Sequence, residues 1–86
     1  MKIFLLEDEI MLNESICEFL EMEGHIVDSF VDGGDAYENI TKTSYDLFIL
    51  DINVPRMDGL TFLEEVKKLK IHAPTIYISA LVDIED

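Results

Sequence analysis

Short, almost wholly apolar runs alternate along this chain with longer stretches in which apolar residues recur every three or four positions. Ile3-Phe4-Leu5-Leu6 is closed by the acids Glu7, Asp8 and Glu9, and Leu47-Phe48-Ile49-Leu50 is closed by Asp51. Runs of this kind read as strands buried on both faces, which belong to parallel sheets. Between them the period changes. Met11, Leu12, Ile16, Phe19 and Leu20 recur at helical spacing, with Gly24 as a C-terminal cap. Ile26 to Phe30 reads as a strand. Asp32-Gly33-Gly34-Asp35 reads as a turn leading into a short helix around Ala36, Tyr37 and Ile40. After a loop containing Pro55 and Gly59, Leu60, Leu63, Val66 and Leu69 mark a third helix, whose basic tail Lys67, Lys68 and Lys70 suits the negative end of the helix dipole. Pro74 then opens Thr75-Ile76-Tyr77-Ile78-Ser79, a fourth strand.

The predicted order is β-α-β-α-β-α-β. Helical connections of this length imply right-handed crossovers and an α/β domain built on a parallel sheet. Three helices on four strands leave apolar strand surface uncovered, so the sequence is expected to be an incomplete domain.

Composition narrows the partners. The chain has 86 residues, enough for one small domain, and 19 acidic against 6 basic side chains give a formal net charge of -13. Such a field repels phosphate backbones and anionic membranes, so neither nucleic acid nor a membrane is an expected partner of this segment. Most of the acids serve solubility. Cys17 is the only cysteine, which excludes an intrachain disulfide and a thiolate metal cluster and leaves a small core residue. With no leader and with charges interrupting every apolar stretch, the expected location is cytoplasmic.

Chemistry is expected at the strand ends. Ligands of open parallel sheets collect beyond the carboxyl ends of the strands, where Glu7, Asp8 and Asp51 lie. If the first and third strands are neighbours, these acids converge, and like charges that close need a cation. Oxygen donors suit Mg²⁺, which takes one or two direct carboxylates and keeps its waters. The same acids would also serve as solvated strand caps, and the residues alone leave both readings open. Ser79 ends the fourth strand on the same edge and offers a hydroxyl to an anion, or a turn. His25 and His72 have no ligand-type neighbours at useful spacing, and phosphate-loop, dinucleotide-binding and nucleophile-elbow patterns are absent.

Three segments together resemble the receiver domain of two-component response regulators, the CheY-like family. They are Leu6-Glu7-Asp8-Glu9, the run Asp51-Ile52-Asn53-Val54-Pro55-Arg56-Met57-Asp58-Gly59, and the strand ending Ser79-Ala80. The resemblance covers the chain from Met1 to its end. It implies a CheY/flavodoxin-like sheet of strand order 2-1-3-4, with Asp51 phosphorylated from a histidine kinase's phosphohistidine. It also implies Mg²⁺ held by Glu7, Asp8, Asp51 and the backbone carbonyl of Asn53, with Ser79 as a switch hydroxyl. Pro55 and Gly59 would shape the adjoining loop, and Met57 would pack near the site. Glu7 as the first acid is typical of family members with a winged-helix output domain, which implies a DNA-binding parent.

The family's fourth helix, fifth strand and fifth helix have no counterpart in residues 1–86, nor do the phosphoryl-pairing lysine and the aromatic switch residue of that fifth strand. Phosphotransfer is therefore expected to be impaired, and self-phosphorylation from small donors is the most that is expected of it as an enzyme. Self-association is expected through the exposed fourth-strand edge or by exchange of elements. The alternative function is a non-catalytic receiver acting as a self-associating or kinase-binding module. A hydrolase of the haloacid-dehalogenase type fits poorly, because its first-strand Asp-x-Asp pattern is missing.

Overall fold

The alternation of buried and helical segments resolves, in the computed structural model, into β1 (Lys2–Leu6), α1 (Ile10–Met22), β2 (Ile26–Phe30), α2 (Gly33–Asn39), β3 (Leu47–Asp51), α3 (Gly59–Lys68) and β4 (Thr75–Ile78). The structure describes residues 1–51, 59–68 and 73–78. All strand pairs among the described residues are parallel, as the apolar runs predict, and the order is β2-β1-β3-β4, as the family resemblance implies.

Strand alternation sorts the core into two layers. Phe4, Leu6, Phe48 and Leu50 face α2 and α3, where Ala36, Ile40, Phe62 and Val66 complete a fully buried cluster. Phe4 is its centre, stacked on Phe30 at 4.9 Å and on Phe62 at 5.4 Å, with the edges of Tyr45 and Phe48 at 5.0 and 5.5 Å. Such ring pairs add to the stabilisation that burial alone supplies. Ile3, Leu5 and Ile49 point to the opposite face, packed by Ile16, Cys17 and Leu20 of α1.

The inner face of α1 departs from the predicted apolar stripe. Met11 and Phe19 are 75% and 61% exposed, while Asn13 is the one fully buried residue of the helix. The apolar arc of this helix is wide, and only its Ile16–Leu20 side meets the sheet. Cys17 lies half-buried there, its thiol donating to Asn13 Oδ1 at 3.5 Å.

Local signals cap the elements, and α2 begins at Gly33, inside the segment that reads as a turn in the sequence, because the Asp32 carboxylate caps it there. The Glu9 carboxylate caps α1 by accepting from the Leu12 N–H at 2.7 Å, and Asp32 caps α2 through the Asp35 N–H at 2.8 Å. Gly24 takes φ +95°. The Gly24 N–H reaches Glu21 O at 3.0 Å and the His25 N–H reaches Leu20 O at 3.1 Å, a Schellman closure that needs the left-handed residue. At the amino end of the sheet, Lys2 and Asp46 exchange two hydrogen bonds: Asp46 N–H to Lys2 O at 2.7 Å, and Lys2 N–H to the Asp46 carboxylate at 2.8 Å. Beside them Tyr45 donates to Asp28 at 2.7 Å, and Lys2 Nζ lies 3.5 Å from the same carboxylate. Burial, then the bond to Asp28, pushes the Tyr45 hydroxyl's pKa up. This clamp sets the starting register of β3 on β1.

Candidate metal centre

Register decides what meets at the other end of the sheet. Leu6 of β1 is level with Leu50 of β3, so the next residues, Glu7 and Asp51, leave adjacent strands side by side. The chain crosses from one side of β1 to the other between these strands, and such a switch point opens a crevice at the carboxyl ends. Glu7, Asp8 and Asp51 each place a carboxylate oxygen within 4.8 Å of the others. Glu7 is wholly buried, Asp51 is 2% exposed, and Asp8 faces solvent.

The backbone around the cluster is tied down. The Glu7 N–H extends the β1–β2 ladder to Phe30 O at 3.0 Å, and the Glu9 N–H donates to Glu7 Oε2 at 2.8 Å. The other oxygen, Glu7 Oε1, is buried with no hydrogen-bond partner among the described residues. Desolvation raises the Glu7 carboxyl to about 7; the Glu9 N–H opposes this, while Asp51 and Asp8 add to it. Asp8 is raised as well, first by desolvation and then by Asp51 beside it. Buried like charges of this kind take up either a proton or a cation.

The donor set fits a hard divalent cation. All three groups offer oxygen, one site faces solvent for retained waters, and an orphaned buried oxygen is available as a ligand. The structure thus brings together Glu7, Asp8 and Asp51. Asn53, Pro55, Met57 and Ser79 lie outside the described residues, while Gly59 opens α3.

Sequence reasoning missed Asn13. Its Nδ2 donates to Glu7 O at 3.0 Å and to Phe30 O at 3.3 Å, joining α1 to the ends of β1 and β2 directly beneath the acids. The signal was present: position 13 is one turn before Ile16 and Cys17, on the inner face of the helix, where a polar side chain needs a buried partner.

No helix among the described residues is long and apolar enough to cross a membrane. Residues 3–86 match the family model of the response regulator receiver domain. The transcriptional regulatory protein CrdR of Helicobacter pylori is 42% identical over 83 residues, covering 95% of this chain and 39% of CrdR. CssR of Bacillus subtilis is 44% identical over 78 residues, covering 91% of this chain and 34% of CssR. The chain thus spans little more than a third of the curated relatives it matches. Among solved structures, the response regulator TrrA of Thermotoga maritima, in complex with Mg²⁺–BeF, superposes with a TM-score of 0.84 at 34% identity, covering 93% of this chain and 70% of TrrA. A parallel sheet of order β2-β1-β3-β4, an acidic cluster suited to Mg²⁺ at its switch point, and these matches place the chain in the response regulator receiver domain family.

Proposed function

We propose that this chain is a cytoplasmic phosphoacceptor of two-component signalling, in which Asp51 receives a phosphoryl group from the phosphohistidine of a histidine kinase. The observation that carries the reading is the convergence of three carboxylates, one with an orphaned buried oxygen, at the ends of adjacent parallel strands. The likeness to TrrA, solved with Mg²⁺–BeF, supports it. Residues 1–86 are read as the part of a receiver module that carries the acidic cluster.

The chemistry asks for positioning more than activation. An oxygen of Asp51 attacks phosphorus, the P–N bond breaks, and its electron pair returns to the imidazole ring, which takes up a proton. Asp51 then carries an acyl phosphate. Glu7, Asp8 and Asp51 would hold Mg²⁺ at the site, with the Asn53 carbonyl as a further ligand. When bound, the ion supplies counter-charge for the phosphoryl oxygens in a pocket otherwise made of carboxylates. Ser79 would answer the new acceptor oxygens with its hydroxyl, coupling phosphorylation to the segment after β4.

The test is intact mass after incubation with acetyl phosphate. One phosphoryl group is expected in Mg²⁺ and none in chelator. Equal uptake with and without the metal would overturn the metal-assisted reading.

A second role has its own observation. β4 lies at the sheet edge among the described residues, and its Ile76 and Tyr77 are 50% and 40% exposed. An apolar edge strand is a template for pairing. We propose that two copies associate through it. Sedimentation is expected to show a dimer at high micromolar concentration, and a monomer throughout that range would refute this role.

A further inference from the structure

Beneath the acids lies a buried polar side chain that carries no charge. Asn13 is 5% exposed, in the first turn of α1 that follows the acidic segment, and its side chain ties its own helix to the ends of β1 and β2. Its Nδ2 donates to Glu7 O at 3.0 Å and Phe30 O at 3.3 Å, and its Oδ1 accepts the Cys17 thiol at 3.5 Å. Glu7 O belongs to the peptide joining Glu7 to Asp8. The plane of that peptide sets the direction in which both carboxylates leave the backbone, because a peptide is rigid and its two neighbouring residues turn about it.

We propose that Asn13 is a positioning residue of the acidic cluster, fixing the Glu7–Asp8 peptide so that both carboxylates meet Asp51 in ligand geometry. The residue type follows from the bonds. Two carbonyl oxygens need a donor with two N–H groups, and only the amide end of Asn or Gln offers these without charge. An aspartate at position 13 would set its oxygens against both carbonyls and add a fourth negative charge near the site. The Cys17 thiol takes the amide oxygen, and so selects the orientation in which Nδ2 faces the strand ends. Groups that orient a metal's ligands typically contribute 10–100-fold to affinity.

This inference rests on the metal-binding role proposed for Glu7 and Asp8, and one experiment separates the two. Mg²⁺ binding to the intact chain is measured by calorimetry, alongside the amide resonance of Glu9, whose N–H reports on Glu7 Oε2. Asn13→Leu, which keeps bulk and removes both donors, is expected to weaken Mg²⁺ binding about tenfold and to move the Glu9 amide. Val66→Ala, in the core under α3, destabilises the chain without touching the acids. It is expected to leave Mg²⁺ affinity and the Glu9 amide unchanged. Should Asn13→Leu fail to fold, Asn13→Ser is titrated instead, since its hydroxyl is too short to reach both carbonyls. Wild-type affinity in the folded Asn13 variant, or an equal loss in Val66→Ala, would overturn the positioning role and leave the phosphoacceptor reading standing. A wild-type chain that binds no Mg²⁺ would overturn both.

Discussion

Asp51→Asn is expected to lose all phosphoryl uptake from acetyl phosphate in Mg²⁺ while the chain stays folded. The nucleophile in the proposed transfer is a carboxylate oxygen at the end of β3, and an amide of the same shape offers no comparable electron pair. Asp51 is 2% exposed and closes a strand paired on both sides, so an isosteric side chain disturbs the packing little. Removing one of three clustered negative charges also relieves repulsion, and the thermal midpoint of the metal-free variant is expected to equal or exceed that of the wild type. Intact mass followed by peptide mapping decides the matter. Phosphate retained by the Asp51→Asn chain, or mapped to Glu7 or Asp8 in the wild type, would remove Asp51 from its assigned role.

The second large effect is one of pH on the metal-free chain. Glu7 is raised from 4.5 to about 7, chiefly by burial. Its folded value lies above its unfolded value, so the folded state binds the proton more tightly. The stabilisation is complete below 4.5 and disappears as the pH rises through 7. A shift of this size corresponds to about 3 kcal/mol between the two ends of that window. Asp8, raised in the same direction, adds to the slope. Urea unfolding in chelator is therefore expected to show a chain that weakens between pH 5 and pH 8. Mg²⁺ should restore stability at pH 8 by answering the charge that the proton no longer neutralises. Glu7→Gln should flatten the metal-free profile and abolish the response to Mg²⁺. A metal-free stability that is level or rising over that interval would contradict the assignment of Glu7 as a buried, uncompensated acid.

Much of this site was legible from strand ends. Glu7 and Asp51 terminate apolar runs, and a run of four or five such residues fixes both a strand and the place where it stops. The strand order that the family resemblance implies then brings the two ends together without any knowledge of side-chain contacts. Other features were not legible, for identifiable reasons. Met11 and Phe19 share the helical period of Ile16 and Leu20, but periodicity shows only that an apolar arc exists, and the sheet covers one part of it. The inner-face position of Asn13 is visible in the helical period, but its partners, the carbonyls of Glu7 and Phe30, come from other strands and are not. Cys17 was expected to fill core space; it packs there and also orients Asn13.

The clamp between Lys2 and Asp46 has a consequence for error. The side chains of β3 alternate between two layers, so a pairing slipped by one residue would carry Phe48 and Leu50 to the α1 side and turn Asp51 away from Glu7. Core and chemistry are thus measured on one ruler whose zero mark is at the amino end of the sheet. A misaligned chain could not keep a well-filled interior and an idle acidic site. It would lose both together, so a folded molecule of this sequence is also one with its acids assembled.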